Sequence, residues 1–296
     1  VAPLLKEISA MADTITILIS NYVKLTVFSL LLGMGLNLTF EHITYLWRQP
    51  KMLIRSLLAA FVLVPIAAII VLAVFKLPLD VRIGIILMAC APGAPLLYRK
   101  VSKMGWDASF AISFQETVSF LAVVLTPLLV ATMSAIYRHD ASVTPQEIFK
   151  QVLAVQFIPL VIGLAIRKGI PELAEDIAEP IAKIANIMFL VLTLLILVKS
   201  LGIVINLGIV SILAIAIMAV TSLLIGHVLG SPIPETQITL AISNATRNPG
   251  LALLIGVSDF TEEGIKPAII SYVLISAIIV AVYNQQMKRR IAQAKP

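Results

Sequence analysis

An arginine, two carboxamides and two hydroxyls crowd into Ser243-Asn244-Ala245-Thr246-Arg247-Asn248-Pro249-Gly250, inside an otherwise apolar stretch from about Ile238 to Val257. That stretch matches the ~20 helical residues a bilayer crossing needs. A guanidinium at the centre of a membrane helix costs roughly 2.5–3.5 kcal/mol on insertion scales, and Pro249-Gly250 cannot continue a regular helix. Unwound backbone at that depth survives only where it lines a cavity or is buried in protein. The chemistry on offer is anion recognition: a guanidinium presents a planar fork of donors suited to a carboxylate, and a helix restarted after a break exposes unpaired N–H groups. Ser243, Asn244, Thr246, Arg247 and Asn248 are the candidate ligands, with Pro249 and Gly250 as the backbone of the break.

A second interruption, Ala89-Cys90-Ala91-Pro92-Gly93-Ala94-Pro95, divides the apolar stretch from about Val81 to Tyr98. Alone, Pro92, Gly93, Ala94 and Pro95 could mark a kink with only a packing role, since Pro and Gly are common in membrane helices. Paired with Arg247-Asn248 at the matching place in the other half of the chain, they point to two broken helices crossing in an inverted repeat, with a binding site between them. Gln115 and Glu116 put polar groups inside a third apolar segment. Glu116 either faces the interior and pairs with Arg247, which would offset both desolvation costs, or lies near the cytoplasmic surface. Asn186, Asn284, Gln156 and His227 read as interhelical hydrogen-bonding residues, and Pro65, Pro127 and Pro159 as kinks. The three histidines have no metal-ligand spacing, so no metal is expected. Cys90 is the only cysteine and reads as a small packing residue.

These residues sit in a chain of 296, with 59% hydrophobic and 13% charged residues and a mean hydropathy of +1.02. Such values exclude a soluble domain of ordinary composition; the chain reads as an all-α polytopic membrane protein with about nine spans. The expected spans are I (Tyr22–Phe40), II (Lys51–Phe75), III (Val81–Tyr98), IV (Asp107–Tyr137), V (Ile148–Ile166), VI (Pro180–Lys199), VII (Leu207–Leu229), VIII (Pro234–Val257) and IX (Lys266–Gln286). Residues 1–21 read as an N-terminal interfacial segment, 22–287 as a single transmembrane domain and 288–296 as a basic tail. Spans I–IV and VI–IX form the proposed repeat, which gives III and VIII equivalent places. The net charge of +6 comes from short loops and the C-terminus, so nucleic acid is not an expected partner. Arg48, Lys51, Arg55, Arg99, Lys100, Lys103, Arg167, Lys168 and Lys288-Arg289-Arg290 place one set of loops and the C-terminus in the cytoplasm and the N-terminus outside, in an inner or plasma membrane.

Several motifs resemble those of the bile acid:sodium symporters and their bacterial relatives. Gly33-Met34-Gly35-Leu36-Asn37-Leu38-Thr39 is similar to the family's early glycine-rich signature, and Ala91-Pro92-Gly93-Ala94-Pro95 to its first crossover. Leu125-Thr126-Pro127-Leu128-Leu129 and Ile158-Pro159-Leu160-Val161-Ile162-Gly163-Leu164 resemble its next two helices, and Asn248-Pro249-Gly250-Leu251-Ala252 its second crossover. The resemblance implies a core over residues 51–137 and 207–287, a panel over 22–40 and 148–199, and a small or amphipathic organic anion bound between them. It also implies sodium ligands, but the positions depart from the pattern. Leu97-Tyr98 stand where the family has Ser-Asn, Ser243 and Arg247 replace a glutamate and a glutamine, and Gln115 and Glu116 partly replace hydroxyls. Sodium prefers hard oxygen ligands, which apolar or cationic side chains do not supply; a proton taken up by Glu116 is the other coupling option.

The expected function is secondary transport of a small organic anion by alternating access. A channel-like facilitator, or a ligand sensor on the same fold, is the alternative. A membrane enzyme is the remote one, since the chain has no Gly-x-Ser-x-Gly elbow and no His-Glu-x-x-His pair.

Overall fold

A chain in lipid has to satisfy its backbone polar groups within each crossing segment, which for separate apolar runs means helices. The computed structural model describes residues 2–37, 40–95, 97–137, 145–199, 202, 207–258, 260 and 264–294, and every regular element among them is helical. In chain order these are α1 (Ala2–Asn37), α2 (Phe40–Trp47), α3 (Pro50–Leu58), α4 (Val64–Val74), α5 (Leu79–Cys90), α6 (Leu97–Met104) and α7 (Ala108–Tyr137). There follow α8 (Pro145–Val152), α9 (Ile158–Gly169), α10 (Pro171–Lys199), α11 (Gly208–Leu229), α12 (Pro234–Ala245), α13 (Pro249–Ser258) and α14 (Ile265–Ala294). Five-residue π turns, Ala59–Leu63 and Leu153–Phe157, join α3 to α4 and α8 to α9.

Seven of these stretches are long and apolar enough to cross a membrane: Ile17–Asn37, Pro50–Val74, Ala108–Met133, Gln146–Gly169, Pro171–Leu195, Gly208–Leu229 and Ile265–Gln293. Expected spans III and VIII are instead each divided, into α5 and α6 and into α12 and α13. Ile70, Val74, Val198 and Val228 lie exposed on the outer faces, where lipid is the matching solvent. The chain is an all-α polytopic integral membrane protein.

Three boundaries differ from those read in the sequence. Helix α1 runs unbroken from Ala2 through the first span, and α14 continues through Lys288-Arg289-Arg290 to Ala294, so both flanking segments extend the helices they adjoin. Helix α10 starts at Pro171 rather than Pro180, because Pro171 takes the first helical position, where its missing N–H costs nothing. Val1, Thr39, His139, the Gln156 side chain and residues 295–296 lie outside the described residues.

Close packing is bought with glycine at a few crossings. A Cβ on Gly163 would lie 2.6 Å from Leu32 O, and one on Gly35 would strike Leu160 O, so α1 and α9 touch backbone to backbone. Helix α10 packs along the same helix α1. Helices α11 and α12 meet at Gly226, whose Cβ would lie 2.6 Å from Leu240 O. His227 on α11 bridges to α14, its Nδ1 2.6 Å from the Tyr283 hydroxyl, while Asn284 Oδ1 accepts at 2.7 Å from Trp106 Nε1 in the turn between α6 and α7.

Candidate functional site

The two breaks meet. Helix α5 stops at Cys90, Pro92 has no N–H to extend it, and Gly93 turns the chain at φ 75°, where a Cβ would lie 2.5 Å from Val118 Cγ2. Helix α12 stops at Ala245, and α13 restarts at Pro249 with Asn248 as its N-cap, whose Oδ1 accepts from Leu251 N at 3.0 Å. Asn248 N donates to Ala91 O at 2.8 Å and ties one break to the other.

A helix end leaves its last carbonyls without intrahelical partners, and at α5 those from Met88 to Ala91 can be followed to donors. Cys90 O accepts from Thr126 Oγ1 at 2.8 Å and Ala91 O from Asn248 N. Met88 O accepts from Arg247 Nε at 3.0 Å, and Ala89 O from Arg247 Nη2. Arg247 Nη2 also donates to Ala60 O at 3.1 Å. Ala60 O is free because the π turn sends Val64 N to Ala59 O, and the next residue, Pro65, has no N–H. The guanidinium is thus buried, 2% exposed, against the negative end of a helix dipole. Helix α12 is closed more modestly, by the Tyr272 hydroxyl donating to Ala245 O at 3.3 Å.

The expected ion pair between Arg247 and Glu116 is not formed. The carbonyls of Ala60, Met88 and Ala89 take the guanidinium, and Glu116 stands on α7, 2% exposed, with no hydrogen bond to Oε2. The other expected residues divide into three groups. Gln115, Ser243 and Asn244 are buried among the helices: Gln115 Nε2 reaches Gly93 O at 3.4 Å, Asn244 Nδ2 donates to Ser222 O at 3.0 Å, and the Ser243 hydroxyl has no partner. Ala94, Pro95, Thr246, Arg247, Pro249 and Gly250 instead line a cavity of about 150 Å³, together with Leu30, Lys100, Asn186 and Phe189. Pro92, Gly93 and Asn248 shape the crossing from behind, all buried.

A second, wider cavity of about 820 Å³ adjoins the first and shares Ala94, Pro95, Lys100, Asn186 and Thr246 with it. Arg99, Lys103 and Lys183 make its wall basic, with Glu179 as the acidic exception. Burial holds the Lys100 amine below the ordinary lysine value of 10.5. Sequence reasoning did not single out Lys100, which reads as one more cytoplasmic loop cation; Asn186, expected to bond between helices, donates instead to Ala182 O of its own helix at 2.8 Å and lines both cavities. The signal was the position of Lys100 in the turn of helix directly after a break. The Ala60, Met88 and Ala89 carbonyls had no such signal, because a main-chain oxygen is the same in every residue.

The profile of the Sodium Bile acid symporter family matches residues 24–207. The chain is 25% identical over 149 residues, 50% of its own length and 46% of the relative's, to the "Uncharacterized sodium-dependent transporter YocS" of Bacillus subtilis. It is 26% identical over 243 residues to the rice protein "Probable sodium/metabolite cotransporter BASS2, chloroplastic", covering 79% of this chain and 56% of that one. It is 29% identical over 146 residues to the rat "Hepatic sodium/bile acid cotransporter", covering 48% and 40% respectively. The chain spans about half the length of these relatives or less.

Proposed function

The chain belongs to the Sodium Bile acid symporter family, a family of transporters, and from that premise we propose that it carries a small organic anion across the membrane by alternating access, without a coupled sodium ion. One observation carries the second half of the proposal. Broken-helix transporters offer a cation the unwound carbonyls and C-terminal ends of their half-helices. Here the carbonyls of Ala60, Met88 and Ala89 already hold the Arg247 guanidinium. A fixed charge in that place supplies the positive potential that an anion site needs and requires no ion gradient to fill it. The N-terminal end of α13, at Pro249 and Gly250, opens onto the cavity and adds its own positive partial charge.

Helix α1 with α9 and α10 would form one moving body and the helices around the crossing the other, corresponding to residues 22–40 with 148–199 against 51–137 with 207–287. The basic cavity would open to the cytoplasm, where the positive-inside rule puts its lysines and the C-terminus. The test is flux of labelled monocarboxylates into proteoliposomes holding the purified chain, with sodium replaced by choline. Saturable uptake and counterflow that ignore sodium are expected. A steep sodium requirement overturns the uncoupled reading, and unsaturable flux would instead favour a channel.

A further inference from the structure

We infer that the small cavity is a carboxylate site in which Lys100, and not Arg247, is the charge partner of the solute, and that the solute is a monocarboxylate with a compact apolar body. This rests on the anion-transport reading above and names its substrate class.

Arg247 donates once from Nε and twice from Nη2 to main-chain carbonyls, so the Nε–Nη2 edge that would grip a carboxylate with two parallel bonds is taken and only the Nη1 N–H groups are left. Lys100 makes no ion pair among the described residues, is partly buried and lines both cavities, so it stands where they join. In the wide cavity Lys183 is paired with Glu179 at 3.2 Å and Arg99 bonds the Tyr98 hydroxyl at 3.1 Å, which leaves Lys100 and Lys103 as the cations without a side-chain partner. A cleft lined by one sign of charge concentrates the opposite ion. An anion entering it reaches Lys100 where the two cavities share their lining, which also includes Asn186 and Thr246.

Shape then limits the body. Leu30, Met88, Phe189, Val273 and Ala277 make most of the side-chain wall apolar, with Arg247 and Ser276 as polar interruptions, and the volume of about 150 Å³ is close to that of an apolar cavity known to accept benzene. A ring or short branched chain fits; a steroid does not. The carboxylate stays at the mouth, on Lys100, and the apolar body enters.

The experiment titrates the purified full chain in nanodiscs by calorimetry with benzoate, benzamide and cholate. Wild type is expected to bind benzoate and to bind benzamide and cholate more weakly. Lys100→Met should weaken benzoate about tenfold or more, the usual worth of a charged hydrogen bond. Lys100→Arg should stay within about threefold of wild type. Equal benzoate affinity in wild type and Lys100→Met, no benzoate binding by wild type, or tighter binding of cholate than of benzoate would each overturn the inference. If Lys100→Met does not fold, Lys100→Cys replaces it: an aminoethyl thiosulfonate restores the ammonium, and binding should return with it. Failure to return overturns the inference too. Sodium-free flux that is unchanged in Lys100→Met sinks this site and leaves the transport reading standing. Benzoate binding without any flux does the reverse.

Discussion

Replacing Arg247 with glutamine tests whether a side chain occupies the place of a cation. In the native chain Arg247 supplies the donors for Ala60 O and Ala89 O, while Met88 O keeps a second donor, Ala91 N at 3.4 Å. Removing the guanidinium leaves two buried acceptors, each costing ~1–3 kcal/mol when unsatisfied. A glutamine amide can recover one of them, so the net loss is about 1–3 kcal/mol, a fall in Tm of roughly 2–12 °C for a chain of this size. The three carbonyls are hard oxygen ligands at the negative end of α5, and with the guanidinium gone they are open to a small cation. Arg247→Gln is therefore expected to gain what the wild type lacks, stabilisation by sodium. At sodium one hundred times its Kd the gain is about 2.7 kcal/mol, enough to offset most of the loss. The assay is thermal unfolding of both proteins in nanodiscs, in sodium chloride and in choline chloride at equal ionic strength. A wild type that is itself stabilised by sodium would refute the reasoning. So would a variant that melts with the wild type in both salts.

The Lys100 amine is held below 10.5 by burial, so the folded chain binds fewer protons than the unfolded one between those two values, and the cost of the buried ammonium is relieved as pH rises through the folded value. Carboxylate binding needs the ammonium; benzoate affinity should therefore fall as pH rises through that depressed value, and the fall should vanish in Lys100→Arg, as calorimetry across the range would reveal. Gly35→Ala forces a Cβ into Leu160 O and should cost about 1–3 kcal/mol in unfolding. Gly33→Ala, whose Cβ would lie 3.5 Å from Ala182 Cα, should stay within about 0.5 kcal/mol of wild type in the same melts. Cysteines at Lys103 and Lys288, with Cys90 replaced, should be shielded from an impermeant thiol reagent in intact cells; labelling of both from outside would invert the proposed orientation.

The crossing was legible because it violates the rules of its surroundings. Arg247, Pro249-Gly250 and Pro92-Gly93 cannot sit in a continuous lipid-facing helix, and the only escape for such residues is a buried or cavity-lining break. Gly35 and Gly163 stood out in sequence only inside motifs that resemble the family's; the backbone approach that a side chain there would prevent is seen in the packing. The partner of Arg247 was not legible. A search for opposite charge leads to Glu116, the carboxylate within a neighbouring span, and passes over the helix end itself. The C-terminus of α5 presents carbonyls that already carry negative partial charge and need donors, so a cation beside it is satisfied before any carboxylate is reached.

Ala60 shows how such an acceptor is made. Pro65 and Pro159 look in sequence like ordinary kinks, yet each follows a π turn, Ala59–Leu63 and Leu153–Phe157, in which the hydrogen bond reaches one residue further back. Val64 N goes to Ala59 O and Ile158 N to Leu153 O; in both cases the next donor in line is a proline nitrogen that has no hydrogen. Each π turn therefore frees one main-chain carbonyl without breaking its helix. In the first, Arg247 reaches across from the second broken helix to use it. Pro65 is thus part of the cation's binding shell through an atom it lacks. A chain that keeps Arg247 but loses Pro65 should regain an N–H for Ala60 O, giving the guanidinium a competitor. Pro65→Ala is expected to weaken the hold on Arg247, even though helix propensity alone would predict a stabilised α4. Unfolding measurements on Pro65→Ala, Arg247→Gln and the double variant would decide it: strictly additive effects would show that the two residues do not act on the same carbonyl.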